Sequence, residues 1–439
     1  MIQRLIPLAA LVLVSAPVQA ETLSKDIAAD LPGLMATYRD LHAHPELSFQ
    51  EMRTARILAD ATREAGFEVT ESVGKTGIVA VLRNGDGPTV LIRTDMDALP
   101  VTEETGLPYA SQMRAVPESG VESGVMHACG HDIHMTAWIE TARLMARRRA
   151  EWSGTLVMIG QPTEEIGLGA RAMLGDGLYS RFPKPDYVLA FHDSADLPAG
   201  VVGTASGYAW ANVDSVDIVV KGAGGHGAAP HMTKDPVVIA AAIVMRLQTL
   251  VSREQDPVDP AVVTVGSIHG GTKHNIIPDE VRLQLTVRSY SPETRTRLLD
   301  GIARIAKAEA MAGGLPDELA PQVSVKDPYT RSTYNSPELT TRLTGIFRDR
   351  FGADNVVSLP PGMVGEDFGE YRLADPEHVQ SLIFRVGAQS PEVLDAAKAK
   401  GGAAPSLHSS KFAPVADKAI ATAAEALAVS ALDLMRRQP

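Results

Sequence analysis

Short apolar runs alternate with helical patterns through the first half of the chain. Thr89–Arg93, Gly154–Gly160 and Tyr187–Phe191 each have the length of a buried strand. Segments with apolar residues at helical spacing, such as Ser24–Asp40 and Glu51–Ala65, precede them. Strands that alternate with helices predict an α/β fold, in which helices flank a central, mostly parallel sheet.

Each of the three apolar runs ends at side chains that can bind metal or transfer a proton. The first is followed by Asp95 and Asp97, the second by Glu164 and Glu165, and the third by His192. Ligands of open α/β sheets bind beyond the carboxyl ends of the strands, so we expect these side chains to gather at one edge. Ordinary explanations remain open, because paired glutamates are common on solvated surfaces and aspartates often cap turns.

The pattern changes near residue 207. Alternating apolar and polar residues predict half-exposed strands at Val213–Lys221, Ala261–His269 and Glu280–Ser289. Long helical segments, Pro236–Arg253 and Pro292–Met311, lie between and after them. This order of elements predicts a small α+β domain with an antiparallel sheet.

The last part of the chain returns to the first pattern. Helical segments at Pro337–Arg350 and Val415–Arg436 enclose an apolar strand at Ser381–Gly387. We therefore expect residues 21–206 and 322–439 to form one domain, and residues 207–321 to form a smaller domain inserted into it.

Composition and charge narrow the class of protein. The 439 residues are 45% hydrophobic and 21% charged, which is typical of a soluble globular protein, and the formal net charge is −12. An acidic chain without basic blocks is a poor candidate for nucleic-acid binding.

The first twenty residues have the pattern of a secretory signal. Arg4 provides the positive start, Leu5–Ala16 is apolar, and Val18–Ala20 ends in small residues suited to cleavage near Ala20. The apolar stretch is short for a membrane span, although an uncleaved anchor is the alternative. We expect a periplasmic or secreted protein without stable membrane insertion.

The stretch His127–His134 concentrates three imidazoles, a carboxylate and the chain's one cysteine, and a predicted helix, Met135–Arg149, follows it directly. Cys129 has no second cysteine with which to form a disulfide, and His131 lies two residues from it. A buried free cysteine is the plain alternative, but the neighbouring histidines favour a metal site. Next to such a site, adjacent Glu164 and Glu165 could divide the roles of general base and ligand.

Three residues of the inserted segment are candidates for substrate recognition. His226, in the glycine-rich stretch Gly222–His231, could donate a hydrogen bond to a developing oxyanion. Asn275 and Arg288 could hold a substrate carboxylate, which suits the bidentate fork of an arginine. A flexible hairpin and surface polar residues are the alternatives.

Together these motifs resemble the dinuclear metallopeptidase and aminoacylase family, specifically its amidohydrolase branch, which includes hippurate, N-acyl-amino-acid and indole-acetyl-amino-acid hydrolases. The resemblance runs from His42 to His408 with the motifs in the family's order. They are Asp-Met-Asp-Ala-Leu-Pro at 95–100, His-Ala-Cys-Gly-His-Asp at 127–132, Gln-Pro-Thr-Glu-Glu at 161–165, Gly-Gly-His-Gly at 224–227, Asn-Ile-Ile-Pro at 275–278, Glu-Asp-Phe at 366–368 and Leu-His-Ser at 407–409. One departure is Asp193, which stands where the branch has an apolar residue.

The resemblance implies roles for individual residues. Two divalent ions per subunit would be held by five ligands: Cys129, His131, Glu165, His192 and His408. The thiolate favours zinc, with manganese, cobalt and nickel as alternatives. Asp95 and Asp97 would support the ligands, and Glu164 would be the general base and acid. His226 would reach the site of a partner subunit and, with Asn275 and Arg288, bind the oxyanion or carboxylate of the substrate.

The resemblance implies an exported, homodimeric amidohydrolase that cleaves N-acyl amino acids to a carboxylate and a free amino acid. The inserted segment would be its lid and dimerisation domain. A dipeptidase or carboxypeptidase acting on short peptides with the same site is the first alternative. A periplasmic binding protein without turnover is the second, although pure capture needs no spare base beside the ligands.

Overall fold

The computed structural model describes residues 16–437. Most of the predicted signal segment, residues 1–15, lies outside the described residues, and residues 16–20 begin the first helix. Cleavage near Ala20 and export therefore stay predictions.

Eleven α-helices lie in the described part of the chain, and the helices predicted from periodicity are among them. Their bounds are α1 Ala16–Ala43, α2 Met52–Glu64, α3 His131–Arg147, α4 Gly169–Gly175, α5 Leu178–Arg181, α6 Pro236–Thr249, α7 Pro292–Ala312, α8 Pro337–Phe351, α9 Gly369–Leu373, α10 Pro391–Ala399 and α11 Ala416–Leu434.

The strands of the same residues form two large sheets and three short ribbons. Their bounds are β1 Glu68–Val73, β2 Gly77–Asn84, β3 Thr89–Asp95, β4 Arg114–Ala115, β5 Ser123–Gly124, β6 Gly154–Gln161, β7 Tyr187–Pro198, β8 Val202–Thr204, β9 Gly207–Trp210, β10 Asn212–Lys221, β11 Gly225–His226, β12 Val262–Gly270, β13 Ile276–Ile277, β14 Glu280–Ser289, β15 Gln322–Val325, β16 Thr333–Asn335, β17 Val356–Ser358 and β18 Gln380–Gln389.

The larger sheet has eight strands in the order β1-β2-β6-β3-β7-β18-β8-β17. Its central strands β6, β3, β7 and β18 are parallel, as the alternation of strands and helices predicts. They are nearly continuous in buried apolar residues because helices cover both faces. One face packs on α2, α3 and α11, with α1 outside α3 and α11, and a second apolar cluster on the other face includes Met173 of α4 and Tyr371 of α9.

The smaller sheet has the order β12-β14-β10-β15 and is antiparallel, as predicted. Helices α6 and α7 cover one of its faces and form a separate apolar core with it. Asp235 and Ser291 cap these helices: each side chain accepts a backbone N–H of the first turn, and a proline follows directly. Strand β15 continues this sheet to Val325, four residues past the predicted segment 207–321.

Two predicted bounds are wrong, and both corrections concern the site. Helix α3 begins at His131 rather than Met135, because Gly130 adopts a left-handed conformation (φ +74°) that starts the helix directly after the cysteine. Strand β7 continues beyond Phe191 to Pro198, because β18 pairs with it through Ser194. His192 therefore lies within a strand rather than after its end.

Candidate metal centre

A cavity of about 1110 Å³ opens between the carboxyl edge of the larger sheet and the inserted segment. Its wall on the first side includes Cys129, Glu164 and His192, and Arg288 of β14 is on the opposite side. Glu164, which follows β6, and His192, which lies within β7, thus meet at one edge of the sheet, which is the arrangement that parallel strands impose.

The thiol of Cys129 lies at the centre of the candidate ligands. Its Sγ is 3.6 Å from Nε2 of His192 and 3.3 Å from Nε2 of His408. His408 Nε2 is also 3.5 Å from Oε2 of Glu165. Cys129 therefore belongs to two groups whose ligand atoms could hold an ion, one with His131 and His192 and the other with Glu165 and His408.

The imidazole of His131 is oriented for ligation. Its Nδ1 lies 2.8 Å from the carbonyl oxygen of Asp97, to which it donates, so Nε2 is left as the unprotonated nitrogen. That Nε2 is buried without a hydrogen-bond partner, 3.9 Å from a carboxylate oxygen of Glu164 and 3.9 Å from one of Glu165. Oε1 of Glu165 is likewise buried and unpartnered. Orphaned buried acceptors of this kind are what a bound cation would satisfy.

The carboxylate of Asp97 fixes the turn that carries both glutamates. It accepts the backbone N–H of Glu164 at 2.9 Å and that of Glu165 at 3.1 Å. Thr163, just before them, has a left-handed φ of +60°, a strained conformation for a β-branched residue. Glu51 holds it there by accepting the Thr163 N–H at 2.9 Å. Several hydrogen bonds therefore hold the turn in this one conformation, as is common at functional sites.

A buried network lies behind the ligands. His134 Nδ1 is 2.6 Å from Oδ1 of Asp95, and its Nε2 is 3.2 Å from Oδ1 of Asp193. Both nitrogens are used, so His134 orients its neighbours rather than binding metal. The Asp193 carboxylate packs against Gly130, where a Cβ would lie 2.6 Å from it, and its Oδ1 is 3.2 Å from Nδ1 of His192. This departure from the resembled branch thus places an acid beside a candidate ligand.

Arg93 compensates the charge of this network from inside the sheet. Its fully buried guanidinium lies 2.6 Å from Asp95 and 2.9 Å from Glu366. Burial alone would raise the pKa of Asp95, but Arg93 and the nearby histidines outweigh it and hold that pKa well below its usual range. Asp95 therefore stays ionised.

In contrast to Asp95, the ionisable residues at the cavity have pKa values shifted toward their neutral forms. Burial, reinforced by neighbouring carboxylates, raises the pKa of Glu164, of Glu165 and of the Cys129 thiol well above their ordinary values. Burial also lowers the pKa of His131 far enough to keep the imidazole neutral. A site of clustered acids, a thiol and neutral imidazoles needs positive charge to hold the ionised forms together. The residues present therefore fit divalent metal ions.

Only one of the three residues of the inserted segment that were predicted to recognise substrate lines this cavity. Arg288 lines it, but His226 and Asn275 do not line the cavity of their own chain. They lie on the exposed ribbon of β11 and β13, where Gly227 N–H donates to the Asn275 carbonyl at 2.9 Å.

Several supporting residues are not among the candidates that the sequence motifs indicate. Glu51 and His42 flank the His-Pro-Glu sequence at 44–46, whose pattern indicates no role for either. Arg93 and His134 are polar residues inside apolar segments, which is the one signal that could have identified them. Their partners are distant in sequence, so only the fold shows what they contact.

This site defines the class of metal-dependent hydrolases. A thiolate, imidazoles and carboxylates surround the cavity, and one glutamate is left over for proton transfer. The model of peptidase family M20/M25/M40 matches residues 91–428, and the chain belongs to this family. This confirms the predicted family and the predicted class of enzyme.

Three relatives illustrate the range of the family. A hippurate hydrolase from Campylobacter jejuni is 37% identical over 77% of this chain and 85% of its own length. Thermostable carboxypeptidase 1 from Saccharolobus solfataricus is 35% identical over 89% and 93%. The crystal structure of a dinuclear metal-binding M20 peptidase from Bacillus subtilis superposes with a TM-score of 0.74 at 31% identity, covering 93% of this chain and 99% of that one. The two-domain fold is thereby confirmed.

The pKa of His42 predicts how stability depends on pH. Burial disfavours the charged imidazole, but hydrogen bonds with Asp132 at 2.7 Å and Glu103 at 3.1 Å outweigh it and raise the pKa of His42 to about 10. Because the pKa of His42 is higher in the folded than in the unfolded protein, the protonated imidazole contributes its full stabilisation at pH values below 6.5. This contribution is lost as the pH rises through about 10. We expect His42→Gln to flatten the decline in stability over that range.

Urea denaturation across that pH range measures the effect as the free energy of unfolding. The exposed His44→Gln is the matched control and should keep the wild-type slope. Identical slopes for wild type and His42→Gln would contradict the assignment.

Proposed function

We propose that this chain hydrolyses the amide bond of N-acyl amino acids, with the free amino acid as one product. The observation that carries the proposal is the glutamate pair at 164–165, held by Asp97, in which Glu165 lies among the candidate ligands while Glu164 lines the same cavity. One carboxylate is thus available for ligation and the other for proton transfer.

The proposed ligands are Cys129, His131, Glu165, His192 and His408, with zinc as the favoured ion because a thiolate is among them. When bound, divalent ions at such a site act as Lewis acids toward a carbonyl group and water. Manganese, cobalt and nickel are the alternatives.

Glu164 carries the proton in the proposed reaction. Its buried carboxylate takes a proton from the water that attacks the amide carbonyl, and then gives it to the nitrogen as the C–N bond breaks. Burial and the neighbouring acids raise the pKa of Glu164, which makes it a stronger base than an exposed glutamate. Arg288, on the opposite wall, would bind the α-carboxylate of the substrate.

His226 is proposed to act on the cavity of a partner subunit. Its Nδ1 accepts the backbone N–H of Ala228 at 3.0 Å, so in the neutral ring Nε2 carries the hydrogen and can donate to an oxyanion. The ring is exposed on its own chain, away from that chain's cavity.

The surface of α6 supports a homodimer. Its inner side packs on the smaller sheet, while Val238 and Met245 on the outer side are 66% and 72% exposed, and Ile268 on edge strand β12 is 53% exposed. Residues 236–254 are also long and apolar enough to cross a membrane by composition alone. A second copy covering this apolar surface is the occupant we propose, and the chain is proposed to act in the periplasm or outside the cell.

Chelation of the purified protein tests the proposal directly. We expect hydrolysis of benzoylglycine to be lost on dialysis against a chelator and regained with zinc or manganese. A parallel panel of dipeptides decides between an amidohydrolase and a peptidase, an alternative that the carboxypeptidase relative keeps open. No turnover of either substrate class by metal-loaded protein would refute the proposal.

Glu164→Gln tests the general base. The amide keeps the shape of the side chain but cannot take the proton, so we expect kcat to fall about 10²- to 10⁴-fold. Metal content, measured by atomic emission, should stay at the wild-type level. The exposed Glu377→Gln is the control for removing one acidic charge, and turnover by Glu164→Gln at the rate of that control would contradict the role.

Mixed dimers test whether His226 acts across subunits. Neither Glu164→Gln nor His226→Ala should be active alone. After mixing and reassembly, half of the dimers contain one chain of each variant, and each such dimer has one intact site. We therefore expect about a quarter of wild-type turnover to return. Met245→Asp in both chains should abolish the recovery and yield monomers by light scattering, whereas the exposed Met311→Asp should not. Failure to complement in stable mixed dimers would place His226 in its own chain's site or outside catalysis.

A further inference from the structure

The cavity contains a cation that the proposed reaction does not use. Arg385 lies on β18 in register with His192 of β7, and both side chains line the cavity. Residues in register on neighbouring parallel strands point to the same face of the sheet. The guanidinium therefore lies on the same wall as the candidate ligands, opposite Arg288.

Arg385 has no counter-ion among the residues that the structure describes. None of them accepts a hydrogen bond from its guanidinium, and no carboxylate oxygen lies within 4.0 Å of it. The side chain is half-buried. Burial lowers the pKa of Arg385 below its ordinary value, although Asp196 and Tyr290 act in the opposite direction. The positive charge is therefore partly desolvated, and Asp196 compensates it only from a distance beyond 4.0 Å.

The described arginines with low exposure differ in this respect. Several have a carboxylate partner, as in the pairs Arg93–Glu366, Arg295–Asp214 and Arg350–Glu425, whereas Arg385 shares the lack of one within 4.0 Å with Arg288, which lines the same cavity. A partly buried charge without a partner costs stability, so proteins rarely keep one except where a ligand supplies the missing charge.

The surroundings of Arg385 hold its guanidinium in place. The Cζ atom lies 5.1 Å from the centroid of the Trp210 ring, which is a cation–π distance. At Gly362 an added Cβ would come within 2.9 Å of Nη2, so the absence of a side chain there makes room for the guanidinium. Since no described residue accepts a hydrogen bond from the guanidinium, its N–H groups are free to bind an anion.

Arg288 has a different environment and its own assignment. Its Nε donates to the Thr286 hydroxyl at 3.1 Å, and under the proposed function it binds the α-carboxylate. Two arginines on opposite walls of one cavity would thus meet two anionic groups of one ligand.

We propose that Arg385, resting on Trp210, is a specificity-determining residue that binds a second carboxylate of the substrate. The preferred substrates are then N-acyl amino acids with a further carboxylate, either on the acyl group or on the amino-acid side chain. The planar N–H fork of arginine matches a carboxylate with two parallel hydrogen bonds. This inference rests on the proposed function for the identity of the substrate, but the binding of a dicarboxylate does not depend on turnover.

Calorimetric titration of the metal-loaded Glu164→Gln protein tests the inference without hydrolysis. One arm compares N-succinyl-L-alanine with its terminal amide, and the other compares N-acetyl-L-glutamate with N-acetyl-L-glutamine. We expect the acid to bind about 10- to 100-fold more tightly than its amide in one arm, since a charge-assisted pair is lost in the amide. The arm that shows the preference identifies which part of the substrate carries the second carboxylate.

Arginine variants in the Glu164→Gln background show which arginine causes the preference for the acid over its amide. Arg385→Met should reduce it to about threefold or less, and Arg385→Lys, which keeps the charge but not the fork, should retain part of it. Arg372→Met is the matched control, because Arg372 also lies over an aromatic ring, Tyr334 at 5.0 Å, but outside the cavity. Arg288→Met should weaken the acid and the amide alike.

Two outcomes would overturn the inference: equal affinity for acid and amide in both arms, or a preference that survives Arg385→Met. Thermal melting of the variants shows whether each is folded, and Arg385→Lys gives an independent result if the methionine variant is not. Acid-selective binding by a wild-type protein that turns over none of these compounds would support the subsite and refute the proposed hydrolysis, so the two failures are distinguishable.

Discussion

The burial of many acidic groups at one edge of a sheet is the constraint on which the rest of this structure depends. Asp95, Asp97, Glu164 and Glu165 are removed from water, and desolvation disfavours their ionised forms. Arg93 compensates Asp95 from within the sheet, and two backbone N–H groups reach Asp97. The acids that face the cavity lack sufficient compensation, because burial and neighbouring carboxylates raise the pKa of Glu164 even with Arg93 nearby. Divalent cations would supply it, so the chemistry of the site and its electrostatic stability have the same origin.

The inserted segment contributes Arg288 to the wall of the cavity but none of the candidate metal ligands. It forms its own antiparallel sheet and core, and it places Arg288 across the cavity from the thiol and imidazoles. The ribbon with His226 lies outside that cavity, on a segment whose outer helix surface is apolar. Arg288 lies on this separate sheet, so under the proposed function substitutions there would change substrate preference without disturbing the candidate ligands, whereas Arg385 lies on the sheet that carries His192.

Much of the candidate site was predictable because short motifs at the ends of apolar runs indicate side chains that can bind metal or transfer a proton. Apolar runs ending at Asp95 and Glu164 predicted a shared edge, and the parallel central strands confirm it. The start of α3 at His131 was missed, since it depends on the left-handed conformation of Gly130 beside a buried acid. The course of β7 past His192 was missed because its pairing partner, β18, is distant in sequence.

The sequence by itself determined the family, the classes of the two sheets and the residue types at the site, because hydrophobic periodicity and motif spacing are local properties of the chain. Only the tertiary structure decided which nitrogen of His131 is left free for ligation, what holds Thr163 in a strained conformation, and that no described carboxylate forms an ion pair with Arg385. Each of these depends on contacts between residues far apart in sequence, and hydrogen bonds and ion pairs form only once folding has brought their partners within a few ångströms.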